Sequence, residues 1–116
     1  MCIRLGRACR KGNAMMDFCQ GDIIRITGFK NKFIIVSKNT FIRATHVFHV
    51  CPVIEDYPAG PVHICVEGKE REKGTVICEQ VKLIDPSARG CSRIDRVPYD
   101  MIMDVSDALQ GIFEYD

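Results

Sequence analysis

The feature that most restricts this chain is its punctuation. Short runs rich in β-branched and aromatic residues recur every eight to twelve residues between turn-forming clusters, and a helical pattern appears only at the end. Ile23-Ile24-Arg25-Ile26-Thr27 and Phe33-Ile34-Ile35-Val36-Ser37 flank Gly28-Phe29-Lys30-Asn31-Lys32, which has the length and composition of a hairpin connection. Residues 45–54 form a longer valine-rich run with Pro52 near its end, and residues 62–67, 75–84 and 92–97 read as further strands. Turn composition separates them at 55–61, 68–74 and 85–90. Residues 39–43 read as a loop or one helical turn, with Asn39 and Thr40 as its caps. Pro98 suits the first position of the one convincing helix, whose apolar stripe is Met101, Val105, Leu109 and Ile112, widened by Ile102 and Phe113. The 116 residues suffice for a single core. The pattern predicts a mainly β fold, a small and strongly bent antiparallel barrel with a C-terminal helix packed on it.

Charge is polarised along this frame although the formal balance is only +1. Residues 1–16 carry Arg4, Arg7, Arg10 and Lys11 without an acid. This basic leader lacks the apolar core of a secretory signal, and Met15 and Met16 directly precede the first strand pattern. We expect a disordered leader or a start at Met15 or Met16 rather than Met1, with the folded domain at 17–116. Residues 23–54 contain no Asp or Glu but include Arg25, Lys30, Lys32, Lys38 and Arg43, whereas 98–116 carry five acids and no Lys or Arg. Such a local basic field can steer a phosphate-bearing partner, although lysines in loops are equally often just solvated. No apolar run approaches the roughly 18–20 residues of a membrane-spanning helix.

The seven cysteines include no Cys-x-x-Cys pair, which argues against a zinc ribbon and a thioredoxin-type motif and for a reducing, cytoplasmic setting. Cys51, Cys65 and Cys78 sit in apolar runs and read as small buried hydrophobes. His46 and His49 fall on opposite faces of one predicted strand, so they cannot share a site without a bulge. His63 alternates with Cys65 and Glu67 and is the histidine most expected to be exposed and available for proton transfer. Glu79-Gln80 falls inside the predicted strand 75–84, where a carboxylate needs a partner. Lys30 and Lys32 sit at the tip of the first hairpin beside Asn31. No metal-ligand spacing or glycine-rich phosphate loop is present.

Several blocks, taken in order, resemble the MazF/PemK-like toxins: Gln-Gly-Asp-Ile-Ile at 20–24, Ile-Ile-Val-Ser-Lys-Asn at 34–39, Val-Cys-Pro-Val at 50–53, Pro-Val-His-Ile at 61–64 and Gly-Thr-Val-Ile-Cys-Glu-Gln-Val-Lys-Leu-Ile-Asp at 74–85. The closing helix with Met-Asp-Val-Ser-Asp-Ala-Leu at 103–109 is similar as well. The likeness spans residues 20 to 113. It implies an SH3-like barrel of the MazF/PemK/CcdB type, a homodimer, and the toxin half of a type II toxin–antitoxin pair with an acidic antitoxin. It also implies metal-independent cleavage of single-stranded messenger RNA, with growth arrest and no cofactor. In that chemistry a 2′-hydroxyl attacks the adjacent phosphate, which requires a base, an acid and stabilisation of developing charge.

The sequence departs from the family at its catalytic positions. The family's catalytic arginine aligns with Asn31-Lys32 and its catalytic threonine with Ile54. Lys30 or Lys32 could replace the positive charge but not the guanidinium fork. Proton transfer could come from Glu55, Asp56 or His63. The candidate catalytic residues are therefore Lys30, Lys32 and His63, and the candidate RNA contacts are Arg25, Asn31, Lys38, Glu79 and Gln80. Two further readings stay open: a module on the same barrel that binds RNA or an antitoxin-like peptide without cutting, and a toxin that acts on a protein.

Overall fold

The computed structural model describes residues 18–113. Seven strands and two helices follow in the order β1 (Asp22–Ile26), β2 (Lys32–Ile35), α1 (Asn39–Thr45), β3 (Phe48–Ile54), β4 (His63–Glu67), β5 (Lys73–Ile77), β6 (Lys82–Ile84), β7 (Cys91–Arg96) and α2 (Tyr99–Phe113). All pairings are antiparallel, in the order β4-β5-β3-β2-β1-β7, with β6 also on β3. The expected β-rich architecture with a terminal helix is present. The expectations for the basic leader and for Glu114 and Asp116 lie outside the described residues.

The central strands are apolar on both faces, which is why their sequences run Ile-Ile and Phe-Ile-Ile instead of alternating. Ile23, Ile34, Cys51, Val53 and Val76 form one core against Ile102 and Val105 of α2. Ile24, Ile26, Phe33, Ile35, Phe48 and Val50 form the other, closed by Ile42 of α1 and Ile84 of β6. Gly21 (φ +93°) makes the turn that starts β1. Its N–H reaches the Ile35 carbonyl at 2.8 Å, and its own carbonyl accepts from Val97 at 3.0 Å.

The strand ladder does not close into a full barrel. The gap between its edge strands is spanned by the β4–β5 turn, which grips a carboxylate on β7. Asp95, buried in β7, accepts from the backbone N–H of Glu70 (2.8 Å) and Glu72 (3.0 Å), while Lys69 N–H donates to the Arg96 carbonyl at 3.0 Å. Gly68 is required here, because a Cβ at that position would collide with the Asp95 carboxylate. At the same end of β7, Arg96 and, three residues earlier, Arg93 reach across to the buried Asp22 of β1 at 2.8 and 3.3 Å.

Several sequence expectations are corrected. The run 75–84 is two strands, because β5 and β6 lie on the same edge of β3 in different registers. Val53 opposes Val76 but Val50 opposes Lys82, so three steps on β3 face six on its partner. The surplus is a turn at Cys78 and Glu79, closed by Gln80 N–H on the Ile77 carbonyl at 3.1 Å. Glu79 and Gln80 are consequently exposed and not strand-buried. Residues 39–45 form a true helix, and His46 is its left-handed cap (φ 62°), so it does not share a strand with His49. Asn39 and Thr40 do not cap the helix. Lys38 occupies the N-cap position, and the Asn39 side chain instead accepts the Gln20 N–H at 2.8 Å. Pro98 stands just before α2, where its carbonyl accepts from Met101 and Ile102. Cys51 and Cys78 are buried as expected, but Cys65 is exposed and so is Phe113, on the outer side of α2.

Burial pushes the Asp95 carboxyl up, but the N–H donors of Glu70, Arg96 and Glu72 outweigh it and hold the group below its ordinary value of 3.8. That stabilisation is present above the ordinary value and is lost as pH falls through the depressed one. Asp95→Asn should cost on the order of 2–3 kcal/mol at neutral pH, because an amide cannot accept on both sides. In urea unfolding the gap between wild type and variant should shrink as pH drops below 3.8.

Candidate functional site

The register change on β3 builds the most chemically distinctive cluster. By throwing residue 79 outward, it sets the Glu79 carboxylate 3.0 and 3.1 Å from Nε2 of His63 at the start of β4. The His63 hydrogen bond is the main cause that holds the Glu79 carboxyl below its usual range. Tyr57, from the β3–β4 connection, meets the His63 ring edge-to-face at 5.1 Å. Gly60 lies against the other edge of the ring, where a Cβ would stand 3.6 Å from Nδ1. With Nε2 engaged by a carboxylate, a neutral ring has Nδ1 as its proton acceptor.

Tyr57 also lines a cleft of about 580 Å³ between the β3–β4 connection, β4, the β4–β5 turn and Met101 of α2. Its walls carry Glu55, Asp56, Glu67 and Glu72 against Arg71 and Lys73. Asp56 (φ 59°) and Arg71 (φ 74°) both adopt the left-handed conformation, which side-chain-bearing residues hold at a cost. Thr75 on the floor donates to the Tyr57 carbonyl at 2.6 Å and lies 3.6 Å from the Cys65 sulfur.

Lys32 is the first residue of β2 and not part of the hairpin tip. Its side chain is 5% exposed, and its Nζ is 2.8 Å from Glu72 and 3.4 Å from Glu55. The lysine charge is therefore already countered by two carboxylates at the edge of the cleft. Lys30 and Asn31 are the exposed tip residues, and the Arg25 guanidinium donates to the Lys30 carbonyl at 2.8 Å. Arg25 and Lys32 are cross-strand neighbours, whereas β1 and the His63 strand are four ladder steps apart. The candidates thus form local groups: Arg25 with Lys30, Lys32 with Glu55 and Glu72, and His63 with Glu79. Lys38 lies apart at the start of α1, and Gln80 is exposed beside Glu79.

Ile54 ends β3 directly opposite Thr75, so the nearest hydroxyl comes from the neighbouring strand. Burial pushes the Cys51 thiol up to about 12 and the Cys78 thiol up to about 11, which suits neither to nucleophilic work. No group of three or more His, Cys, Asp or Glu able to hold a metal ion occurs among the described residues, and no helix among them is long and apolar enough to cross a membrane. The sequence reading missed Tyr57, which it absorbed into a turn, since nothing local distinguishes a tyrosine that bridges a cleft and a histidine.

Residues 20–113 match the family described as PemK-like, MazF-like toxin of type II toxin-antitoxin system. The chain belongs to this family. The fold is also that of solved relatives. A MazE–MazF structure from Deinococcus radiodurans superimposes with a TM-score of 0.70 at 16% identity, covering 82% of this chain and 94% of that one. An endoribonuclease in complex with its cognate antitoxin from Mycobacterial species gives 0.71 at 16% identity, covering 85% and 99%. An endoribonuclease from Mycobacterial species gives 0.70 at 16%, covering 81% and 88%. No curated protein matches the sequence significantly. At this identity the structural likeness speaks for the fold, while the family membership rests on the sequence match. The expected PemK/MazF-like architecture is thereby established.

The Lys32 cluster should respond asymmetrically to substitution. Glu72→Gln keeps an acceptor oxygen but leaves the buried ammonium with only Glu55 as counter-charge, and should cost about 1–3 kcal/mol, reduced from a fully buried pair because Glu72 is one-third exposed. Lys32→Met releases two carboxylates that can turn to water and should stay within about 1 kcal/mol of wild type. Thermal or urea unfolding of both variants checks the order.

Proposed function

We propose that this toxin is a metal-independent endoribonuclease that cuts single-stranded messenger RNA and arrests growth, and that an acidic antitoxin restrains it in the cytoplasm. The observation that carries this reading is the His63–Glu79 pair, oriented at 3.0 Å and joined through Tyr57 to the cleft. Nδ1 of His63 takes the proton of the 2′-hydroxyl. The 2′ oxygen bonds to phosphorus as the bond from phosphorus to the 5′ oxygen breaks, giving a cyclic phosphate and a 5′-hydroxyl end. Glu55 or Asp56, on the cleft wall, relays the proton taken by His63 to the departing oxygen, so that the imidazole is neutral again at the end of the step. Arg71 and Lys73 counter the charge that grows on the phosphate. Arg25, Lys30 and Asn31, with Lys38 and Gln80 further out, serve RNA binding. Lys32 acts by holding Glu55 and Glu72 in place rather than by touching phosphate. A two-fold dimer and an antitoxin partner follow by analogy with the family and with the antitoxin complexes among the solved relatives.

A second reading, a module that binds RNA or an antitoxin-like peptide without cutting, is favoured by one observation. The cleft carries four carboxylates, and its buried lysine is already neutralised.

Purified protein incubated with single-stranded RNA in excess chelator separates the two. Cleavage should appear, and His63→Ala should reduce its rate about a hundredfold or more, with Glu79→Gln falling between. Binding without cleavage by wild type would establish the second reading. Growth arrest with intact messenger RNA would point instead to a protein target.

A further inference from the structure

The 580 Å³ cleft sets its two cations, Arg71 and Lys73, among four carboxylates. A second cleft, of about 390 Å³, opens between the β1–β2 turn and the turn that leads into β7. It is lined by Arg25, Thr27, Gly28, Phe29 and Ser92 among others, and no carboxylate lines it. Arg89, from the opposite turn, lays its guanidinium on the Phe29 ring at 5.0 Å. Lys30 adjoins, its carbonyl accepting a hydrogen bond from Arg25. Among the described residues, none of Arg25, Lys30 and Arg89 is ion-paired, and all three are exposed.

The two turns are fastened so that these cations converge. Thr27 N–H donates to the Gly90 carbonyl at 2.8 Å, an approach that needs glycine, because a Cβ at 90 would stand 2.6 Å from the Thr27 hydroxyl oxygen. Gly28 (φ +94°) turns the chain back beneath Arg89, whose guanidinium is 3.9 Å from where a Cβ would lie. Arg25 is held at its tip by the Lys30 carbonyl, which leaves further N–H groups of its planar fork to donate. Cations fixed by backbone and ring contacts beside two hydroxyls, with no acid on the walls, make a receptor for a phosphodiester.

Position ties this cleft to the cutting site. Ser92, Arg25, Lys32, Val53 and Val76 oppose one another in a single row across β7, β1, β2, β3 and β5. The row leads from the cationic cleft, past the neutralised Lys32, towards Thr75 and the larger cleft.

We infer that the cleft between the β1–β2 and β6–β7 turns binds a backbone phosphate of the single-stranded RNA at a nucleotide outside the one being cut, with Arg89 and Arg25 as its donors. This rests on the ribonuclease reading for its substrate and assigns Arg89, which sequence reasoning passed over, to RNA binding. It separates the labour of the surface: the His63–Glu79 pair and the acidic cleft beside it do the proton transfer, and the cationic cleft supplies most of the grip.

The test uses the full chain with His63→Ala added to prevent cutting, and a fluorescent single-stranded oligoribonucleotide titrated at several salt concentrations. Arg89→Gln and Arg25→Gln should each weaken binding several-fold and lower the log–log salt slope by about 0.7, the value for one lost phosphate contact on a single strand. Arg89→Lys should retain the slope while losing part of the affinity. In the cutting-competent protein, Arg89→Gln should raise KM with kcat little changed, and thermal melting should confirm that the variants fold. RNA cleavage by wild type together with unaltered affinity and salt slope in both glutamine variants would overturn this inference and leave the ribonuclease reading standing. Wild type that neither binds nor cuts RNA would overturn both.

Discussion

Asp95 is the interaction on which the arrangement turns. A curled sheet with two free edges leaves unpaired backbone groups at each, and such edges need covering. Here a buried carboxylate on the edge strand β7 accepts N–H groups from the turn that joins the two strands at the other edge. The bond stands where no strand ladder joins the two edges. It also fixes residues 68–72, which place Arg71 on one wall of the larger cleft and bring Glu72 to Lys32. Asp22 reinforces a junction that a ladder already makes, between β1 and β7. Burial raises its carboxyl above the ordinary value despite Arg96 and Arg93, so that carboxylate is held at greater electrostatic cost than Asp95.

The distribution of charge is decided by this packing more than by the count of basic residues. A lysine among acid-free sequence reads as available, yet Lys32 is turned inward and met by two acids from distant parts of the chain. Its neighbour Arg25, one strand away on the same row, remains outside. The basic field of residues 23–54 therefore emerges around the β1–β2 turn and on α1, not over the larger cleft. A family relative lacking the usual arginine and threonine still presents exposed cations and a His63–Glu79 pair, but at separate places on the sheet.

The sequence by itself determined the class of fold. Apolar runs at a spacing of eight to twelve residues, a glycine-containing hairpin connection at 28–32 and a stripe at helical period near the end leave few architectures, because each of these is a local property of adjacent residues. The ordered motifs from residue 20 to 113 likewise carried the family, and the match over those same residues bears that out. The pairing of His63 with Glu79, the split of 75–84 and the burial of Lys32 were not legible. No glycine or proline marks the turn at Cys78 and Glu79. It exists because β5 and β6 must share one edge of β3 in two registers, a demand made by the partner strand and not by the segment itself. Lys32 is buried because Glu55 and Glu72 arrive from residues 23 and 40 positions away, and a charge enters the interior only when such partners are brought to it by the fold. Local spacing decides what each segment becomes; long-range pairing decides which side chains meet, and only the tertiary structure settles that.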